Sequence, residues 1–255
     1  MTERDQPSGA CPGWAVFAGF LLIWQGLAMA RASRFLPAPF AVARQIWILA
    51  TTGSLIEDFA VTLARAGLAF CLAMALGTAG GLLLGRIRLL DRMFLNFIVV
   101  GMNLPAIVIA ILCFIWLGLT DTALILAVML NKMPLVISNI RQGVRSFDPA
   151  YDEFAAAFRL SLRDRLRLIY LPQLMPFLMT SARSGLSLIW KIVLVFEVLG
   201  ADSGVGFRLS LFFEFFDMTG ILAYTFVFVA LVMALEHLGL GPLEQRWLAW
   251  RAHQD

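Results

Sequence analysis

Charged residues are the scarcest part of this sequence. Asp, Glu, Lys and Arg make up 15% of its 255 residues, whereas about 25% is usual in soluble proteins. Four long stretches have no charged residue at all: residues 6–30, 66–85, 93–120 and 218–235. Because a helix needs roughly 20 apolar residues to cross a bilayer, this distribution argues against a soluble domain and predicts an integral membrane protein.

Groups that support catalysis or bind metals are also few. The three cysteines have no pairing or metal-ligand spacing, and the two histidines, His237 and His253, form no cluster. The sequence contains no phosphate-binding loop of the GxxxxGK type and no serine–histidine–acid set. We therefore expect no catalytic residue, no metal site and no enzyme activity in this chain.

The apolar segments predict an all-α membrane protein with about six transmembrane helices in a single domain over residues 1–255. The helices are expected at about residues 13–30, 60–85, 94–117, 122–140, 172–199 and 220–240. The first is interpreted as a retained helix and not a signal peptide, because its apolar run is too long and Arg31 and Arg34 follow it without a cleavage site. A short interfacial helix is expected over residues 40–52, and a loop over 200–219.

Glycine, proline and lysine positions predict details of these helices. Four glycines in the second helix would let a neighbouring helix approach closely; they are Gly77, Gly80, Gly81 and Gly85. Asn103 and Pro105 are expected to interrupt the third helix, and Lys132 and Pro134 are expected to interrupt the fourth. A broken helix is tolerated in a membrane where it is buried or lines a cavity.

The distribution of basic residues predicts that both termini are cytoplasmic. If residues 141–171 form a cytoplasmic loop, twelve of the twenty Lys and Arg residues lie on that side, four lie on the other side, and four fall in or beside helices. Such an excess is typical of cytoplasmic segments. Residues 1–12 and 243–255 are then expected to be cytoplasmic tails.

The same stretch, 141–171, predicts two short amphipathic helices within residues 149–170. Asp148-Pro149 is typical of a helix start, with a capping residue followed by proline at the first helical position. Ser161, with Asp164 three residues later, indicates the start of a second helix, which is expected to end before Leu171-Pro172.

The first of these helices has an aromatic face, because Phe154 and Phe158 are four residues apart. Such a face would contact a partner protein or lie flat on the lipid interface. The residues themselves leave both possibilities open.

Glu153-Phe154-Ala155, followed by Ile169-Tyr170-Leu171-Pro172, resembles the EAA loop of ATP-binding-cassette (ABC) importer permeases of the binding-protein-dependent type. Further matches to the nitrate, sulfonate and taurine branch follow one another along about residues 35–250. They are Phe35-Leu36-Pro37-Ala38-Pro39, Asn103-Leu104-Pro105-Ala106, Trp116-Leu117-Gly118-Leu119, Gly143 through Pro149, and Glu197 through Phe207. Each motif alone is weak, but the ordered set is specific.

The resemblance implies a type I ABC importer permease fold in the bacterial inner membrane, working by alternating access. Its partners would be two ATP-binding subunits, a second permease copy or paralogue, and a periplasmic or lipid-anchored solute-binding protein. ATP and Mg²⁺ would be bound by the partner ATPase, and this chain would bind no cofactor and no nucleic acid. The residues implied in contact with the ATPase are Glu153, Phe154, Ala155, Phe158, Arg159 and Leu160.

Arg159 departs from the family pattern, which has glycine at this position. Glycine suits the left-handed backbone between two helices, whereas a residue with a side chain adopts it at a cost of about 1–2 kcal/mol. Either Arg159 has an acidic partner on the ATPase, or this subunit pairs with a second, more regular permease.

Polar residues and helix breaks inside the apolar segments are candidates for the translocation pathway. They are Met102, Asn103, Pro105, Asn131, Trp190, Lys191 and Glu197. Glu197 would be a functional intramembrane acid, or a snorkelling or loop-capping acid near the interface. Lys191 would attract an anionic substrate, pair with Glu197 or make an interhelical contact.

The predicted function is therefore a permease subunit that takes up a small anion of the nitrate, sulfonate or taurine type, or a heterocyclic precursor. One alternative is an ion-coupled secondary transporter, which would need coupling carboxylates in mid-membrane, and Glu197 is the one candidate. Another is that the chain forms one divergent half of a heterodimeric permease.

Overall fold

The computed structural model describes residues 13–31, 33, 35–235 and 238, and in these ranges it contains helices and no strand. The all-α prediction is confirmed. The helices are α1 Gly13–Arg31, α2 Pro39–Thr52, α3 Ser54–Arg86, α4 Arg88–Asn103, α5 Ala106–Leu117, α6 Asp121–Arg145, α7 Pro149–Ala157, α8 Leu162–Gly200, α9 Val205–Glu214 and α10 Met218–Leu235. The two predicted tails, residues 1–12 and 243–255, lie outside the described residues.

Three helices, α3, α6 and α10, are long and apolar enough to cross a membrane by themselves. The number rises to five if each of the bent pairs α4–α5 and α8–α9 is one span. The predicted first span corresponds to α1, a further helix of 19 residues. This count refers to the part of the chain that the structure describes.

The third helix, predicted over residues 94–117 with an interruption at Asn103 and Pro105, is broken at that place, as predicted. It divides into α4 and α5, whose axes differ by 100°. Leu104, which precedes Pro105, has extended backbone angles (φ −66°, ψ 128°), because the proline ring disfavours the helical conformation of the residue before it. Proline therefore ends the helix here and does not merely bend it.

The predicted interruption of the fourth helix at Lys132 and Pro134 is wrong. Helix α6 is continuous from Asp121 to Arg145, with Pro134 inside it. Pro134 is buried against Gly101 of α4, where a Cβ atom would lie 2.8 Å from the proline ring. Proline is tolerated inside transmembrane helices, and here its ring fills the space beside the glycine of the neighbouring helix.

Two further boundaries differ from prediction. The second loop helix does not end before Pro172: it passes through a π-helical turn, Arg165–Tyr170, directly into the long membrane helix, so that both form α8. Pro172 has no N–H to donate to the regular α-helical hydrogen-bond pattern. The wider π-helical turn before it allows the helix to continue past this residue. The predicted loop 200–219 contains a helix, α9, bent by 52° from α8.

The predicted close approach at the glycines of α3 is confirmed. A Cβ atom at Gly77, Gly81 or Gly85 would lie 2.6 Å from the nearest side-chain atom of the facing helix. The facing residues of α6 are Val136, Ile140 and Val144. Close contact of this kind replaces the hydrophobic effect as the force that joins helices in a membrane.

These contacts also define two ends of the bundle. The residue numbers of the contacting positions increase in the same direction along α3 and α6, so the two helices are parallel. Helix α8 runs the opposite way, because Asn139 contacts Ser181 while Gly143 meets Phe177. We call the end with residues 141–171 the loop end, and the end at which α8 finishes the Glu197 end.

Candidate coupling loop and polar clusters of the bundle

The first loop helix begins as the sequence predicts. Asp148 is its N-cap and accepts a hydrogen bond from the backbone N–H of Ala150 at 2.9 Å, with Pro149 at the first helical position. The second start is also confirmed, because Ser161 accepts from the N–H of Asp164 at 3.2 Å and donates its hydroxyl to the same residue's carboxylate at 2.6 Å. The local capping signals therefore place α7 and the beginning of α8 correctly.

Arg159 adopts the left-handed backbone that the family's glycine position implies, with φ +48°. The N–H of Leu160 donates to the carbonyl of Ala155 at 3.0 Å, and the N–H of Arg159 donates to that of Ala156 at 3.1 Å. This pair of bonds is the Schellman motif that ends a helix at a left-handed residue. The loop therefore keeps this geometry with arginine in place of glycine.

The aromatic face of α7 is exposed. The rings of Phe154 and Phe158 lie 4.4 Å apart, and the two side chains are 51% and 66% exposed. Glu153 and Arg159 are exposed as well, and Leu160 is half-buried. Ala155 is also one of the residues implied for the ATPase contact, but it is fully buried and faces the protein's own interior.

The loop is tied to the bundle through Tyr170, which the sequence analysis did not single out. Its hydroxyl donates to Asp152 of α7 at 2.6 Å. Its ring stacks on Phe147 with centroids 5.6 Å apart, and the guanidinium of Arg86 lies 5.2 Å from its centre. One tyrosine thus joins the end of α3, the end of α6 and the helix α7.

A second cluster at the loop end fixes α4 to α6. Asp91 of α4 is buried and accepts hydrogen bonds from Arg141 and Arg145, one turn apart on α6. Charge-assisted hydrogen bonds from two guanidinium groups to one buried carboxylate are strong, whereas a single exposed ion pair contributes little to stability.

The largest polar cluster lies at the opposite end around Glu197, which is completely buried. Its carboxylate accepts from the hydroxyl of Thr62, from Nη1 of Arg65 and from the backbone N–H of Gly206, each at 2.9 Å. Thr62 in turn accepts from the N–H of Val205 at 2.9 Å. The acid therefore joins α3, α8 and the turn before α9.

Arg65 extends this cluster. Its Nη1 also donates to the carbonyl of Ser203 at 2.7 Å, and its Nη2 donates to the hydroxyl of Ser203 at 2.8 Å and to Asp121, the first residue of α6, at 2.6 Å. Asp202 is a more distant and exposed partner at 3.8 Å. We call these residues, Thr62, Arg65, Asp121, Glu197 and the turn 202–206, the Arg65–Glu197 cluster.

Of the two roles left open for Glu197, the contacts favour the loop-capping acid. Gly204 has φ +95°, and a Cβ atom there would lie 2.6 Å from the Glu197 carboxylate, so the turn is folded against the acid. The ion pair with Lys191 is not formed: Lys191 is exposed on α8, and the cation that contacts Glu197 is Arg65. The sequence reasoning missed Arg65, whose one signal was a charge among the apolar residues of α3.

The other pathway candidates occupy three places. Met102, Asn103 and Pro105 are exposed at the break between α4 and α5, where the Asn103 amide donates to the carbonyl of Val99 at 2.7 Å. Asn131 is half-buried on α6. On α8, Trp190 is buried beside the exposed Lys191.

The chain resembles known transport proteins over most of its length. The family described as binding-protein-dependent transport system inner membrane component matches residues 71–239. The chain is 28% identical over 239 residues to a protein of Escherichia coli (strain K12) named as an aliphatic sulfonates transport permease, covering 93% of this chain and 90% of the relative. It is 26% identical over 240 residues to the taurine transport system permease protein of the same organism, covering 91% and 87%.

A solved structure shows the same fold. The structure of an amino acid ABC transporter with histidines superposes with a TM-score of 0.64 at 18% identity, covering 78% of this chain and 96% of that one. At this identity the likeness shows the fold alone. It confirms the prediction of a type I importer permease fold.

Two substitutions of Arg159 separate its backbone role from its side chain. Arg159→Gly removes the left-handed penalty of about 1–2 kcal/mol, whereas Arg159→Ala keeps it. We expect slower amide hydrogen exchange over residues 149–160 in the glycine variant only. Equal exchange in the two variants would contradict this account of the loop.

Breaking the Arg65–Glu197 cluster should destabilise the fold strongly. Glu197→Ala removes the fully buried carboxylate of the cluster and leaves Arg65 with the exposed Asp121 as its nearest ion-pair partner. Loss of one partner of a buried ion pair typically costs on the order of 3–5 kcal/mol, and thermal unfolding of the purified chain in detergent measures the effect. Asp202→Asn is the matched control, because Asp202 is 96% exposed and its loss should leave the unfolding temperature unchanged. Equal unfolding temperatures for the two variants would show that the cluster does not stabilise the fold.

Proposed function

This chain belongs to the family of binding-protein-dependent transport system inner membrane components, and we propose that it lines the translocation pathway of an ATP-driven importer. In this proposal a separate ATP-binding subunit drives transport by pushing on α7. The permease supplies no chemistry; it converts a movement of α7 into a rearrangement of the membrane helices.

The observation that supports this proposal is the exposed pair Phe154 and Phe158 at the end of α7. Buried aromatic anchors supply much of the energy of protein interfaces, and two adjacent exposed rings on a helix outside the bundle offer such an anchor. Glu153 and Arg159 beside them would form the polar rim. We therefore choose protein docking over the lipid interface as the role of this face.

The contacts of Tyr170 support a mechanical connection from α7 to the bundle. A displacement of α7 would move Tyr170 through its hydrogen bond with Asp152. Tyr170 would pass this movement to the start of α8, to which it belongs, and to α3 through Arg86. At the far end, α3, α6 and α8 are joined by the Arg65–Glu197 cluster. In this proposal the three helices move together and open the pathway alternately to the two sides.

The exposed Lys191 supports a second permease copy or paralogue. A lysine on a membrane helix is costly to expose to lipid, and Lys191 lies on the surface of α8 nine residues before its end. A subunit interface that encloses a water-filled pathway would remove it from lipid. The exposed break between α4 and α5, with Met102, Asn103 and Pro105, is proposed to line the same pathway.

Orientation and substrate complete the proposal. The basic residues of 141–171 support a cytoplasmic location of the loop end, and in this proposal both termini lie on that side and the solute-binding protein delivers substrate at the Glu197 end. The substrate is proposed to be a small anion such as a sulfonate, because the relatives named above are sulfonate and taurine permeases and Lys191 offers a cation. A heterocyclic precursor is the competing substrate class.

Phe158→Ala tests the coupling proposal. We expect at least about a tenfold loss of the ATP-binding subunit that co-purifies with the permease, since buried aromatic anchors are typical hot spots, together with loss of ATP-dependent uptake. Phe213→Ala is the matched control for co-purification, because Phe213 is a similarly exposed aromatic on α9. Transport that continues without any ATPase would instead show an ion-coupled secondary transporter.

Substitution of Lys191 tests the pathway and the substrate class. Lys191→Met should reduce uptake of an alkanesulfonate about tenfold, the effect of losing one charge-assisted contact, whereas Lys191→Arg should retain most of it. The measurement is uptake into proteoliposomes that contain the whole transporter. Unchanged uptake by Lys191→Met would remove Lys191 from the pathway, and uptake of a neutral heterocycle but no anion by the unmodified transporter would overturn the anion proposal.

A further inference from the structure

Two cavities adjoin each other at the loop end, between the end of α3 and the first part of α8. They have volumes of about 470 and 410 Å³. Both are lined by Arg86, Phe147, Leu166 and Tyr170, so they are two compartments of one groove. The first compartment extends along the membrane helices, and the second extends towards α7.

The compartment along the membrane helices is apolar. Beyond the shared residues it is lined by Ala79, Leu82, Leu83, Ile87, Leu171 and Leu174. Ala79, Leu83 and Leu171 are exposed in the isolated chain, so the groove is open along its side. An open, apolar groove of this kind offers a hydrocarbon chain a site between the two helices.

The compartment towards α7 is basic. Arg86 and Arg165 both line it, together with one acid, Asp152, whose carboxylate accepts the Tyr170 hydroxyl. The Nε atom of Arg165 is buried and has no hydrogen-bond acceptor among the described residues. Two guanidinium groups, one of which has an unused and buried Nε donor, therefore line this compartment beside one engaged carboxylate.

We propose that this groove binds an anionic phospholipid, with an acyl chain in the apolar compartment and the phosphate between Arg86 and Arg165. Arginine forms strong, geometrically specific bonds to phosphate, and basic pockets beside membrane helices suit anionic headgroups. The joined compartments favour a lipid over a free anion, because a free anion would not occupy the hydrocarbon groove. A bound lipid would stabilise the Tyr170 tether between α3 and α7.

Native mass spectrometry of the purified full-length chain tests the proposal with phosphatidylglycerol and with phosphatidylcholine of the same acyl chains. We expect phosphatidylglycerol to be retained preferentially. Arg165→Gln should lower its retention about tenfold, as expected for the loss of a charge-assisted hydrogen bond. Arg163→Gln is the matched control, because Arg163 is exposed two residues away and lines neither compartment.

A second variant tests the apolar compartment separately. Ala79→Phe should fill part of the groove, leave both arginines in place and reduce phosphatidylglycerol retention. Equal retention by the unmodified chain and Arg165→Gln, or equal retention of the two lipids, would overturn the proposal. Displacement of the lipid by inorganic phosphate at comparable concentration would show an anion site without a lipid role. Because these measurements use the permease alone, their outcome is separate from that of the ATPase-coupling experiment.

Discussion

The buried ion pair between Arg65 and Glu197 is the interaction on which the arrangement of this bundle depends. A charge without a partner is costly in a protein interior and in a membrane, so the elements that satisfy this pair must stay together. They are α3, the start of α6, the end of α8 and the turn 202–206. The pair therefore also determines the direction of α9 relative to α8, because the turn between these helices is folded directly onto the carboxylate.

Helix α3 transmits this constraint to the opposite end of the molecule. Between the two ends, its glycines pack against α6 so closely that added side-chain atoms would have no room, and the two helices therefore cannot slide freely past each other. At the loop end α3 finishes at Arg86, which faces the Tyr170 ring that also holds α7. A single helix thus connects the proposed docking site of the ATPase with the proposed side of substrate delivery.

The features that the sequence predicted correctly are those encoded by neighbouring residues. Asp148-Pro149, the pair Ser161 and Asp164, and the glycines of α3 each specify a local conformation or a smooth helix face. The partners of Glu197 could not be predicted in this way, because Thr62 and Arg65 are 135 and 132 residues distant in the sequence. Proline is ambiguous in the sequence: Pro105 separates two helices, whereas Pro134 lies inside the continuous helix α6, where its ring packs against Gly101 of α4.

Arg159 shows how far a departure from a family pattern can be interpreted. The family pattern predicts that arginine at this glycine position requires either an acidic partner or a more regular second permease. The chain instead adopts the left-handed conformation at Arg159 itself, supported by the two backbone hydrogen bonds that end α7. The penalty of about 1–2 kcal/mol is small beside the several kcal/mol that an aromatic anchor supplies to an interface. Arginine at this position is therefore compatible with a coupling loop of ordinary geometry, and it gives no reason by itself to require a heterodimer.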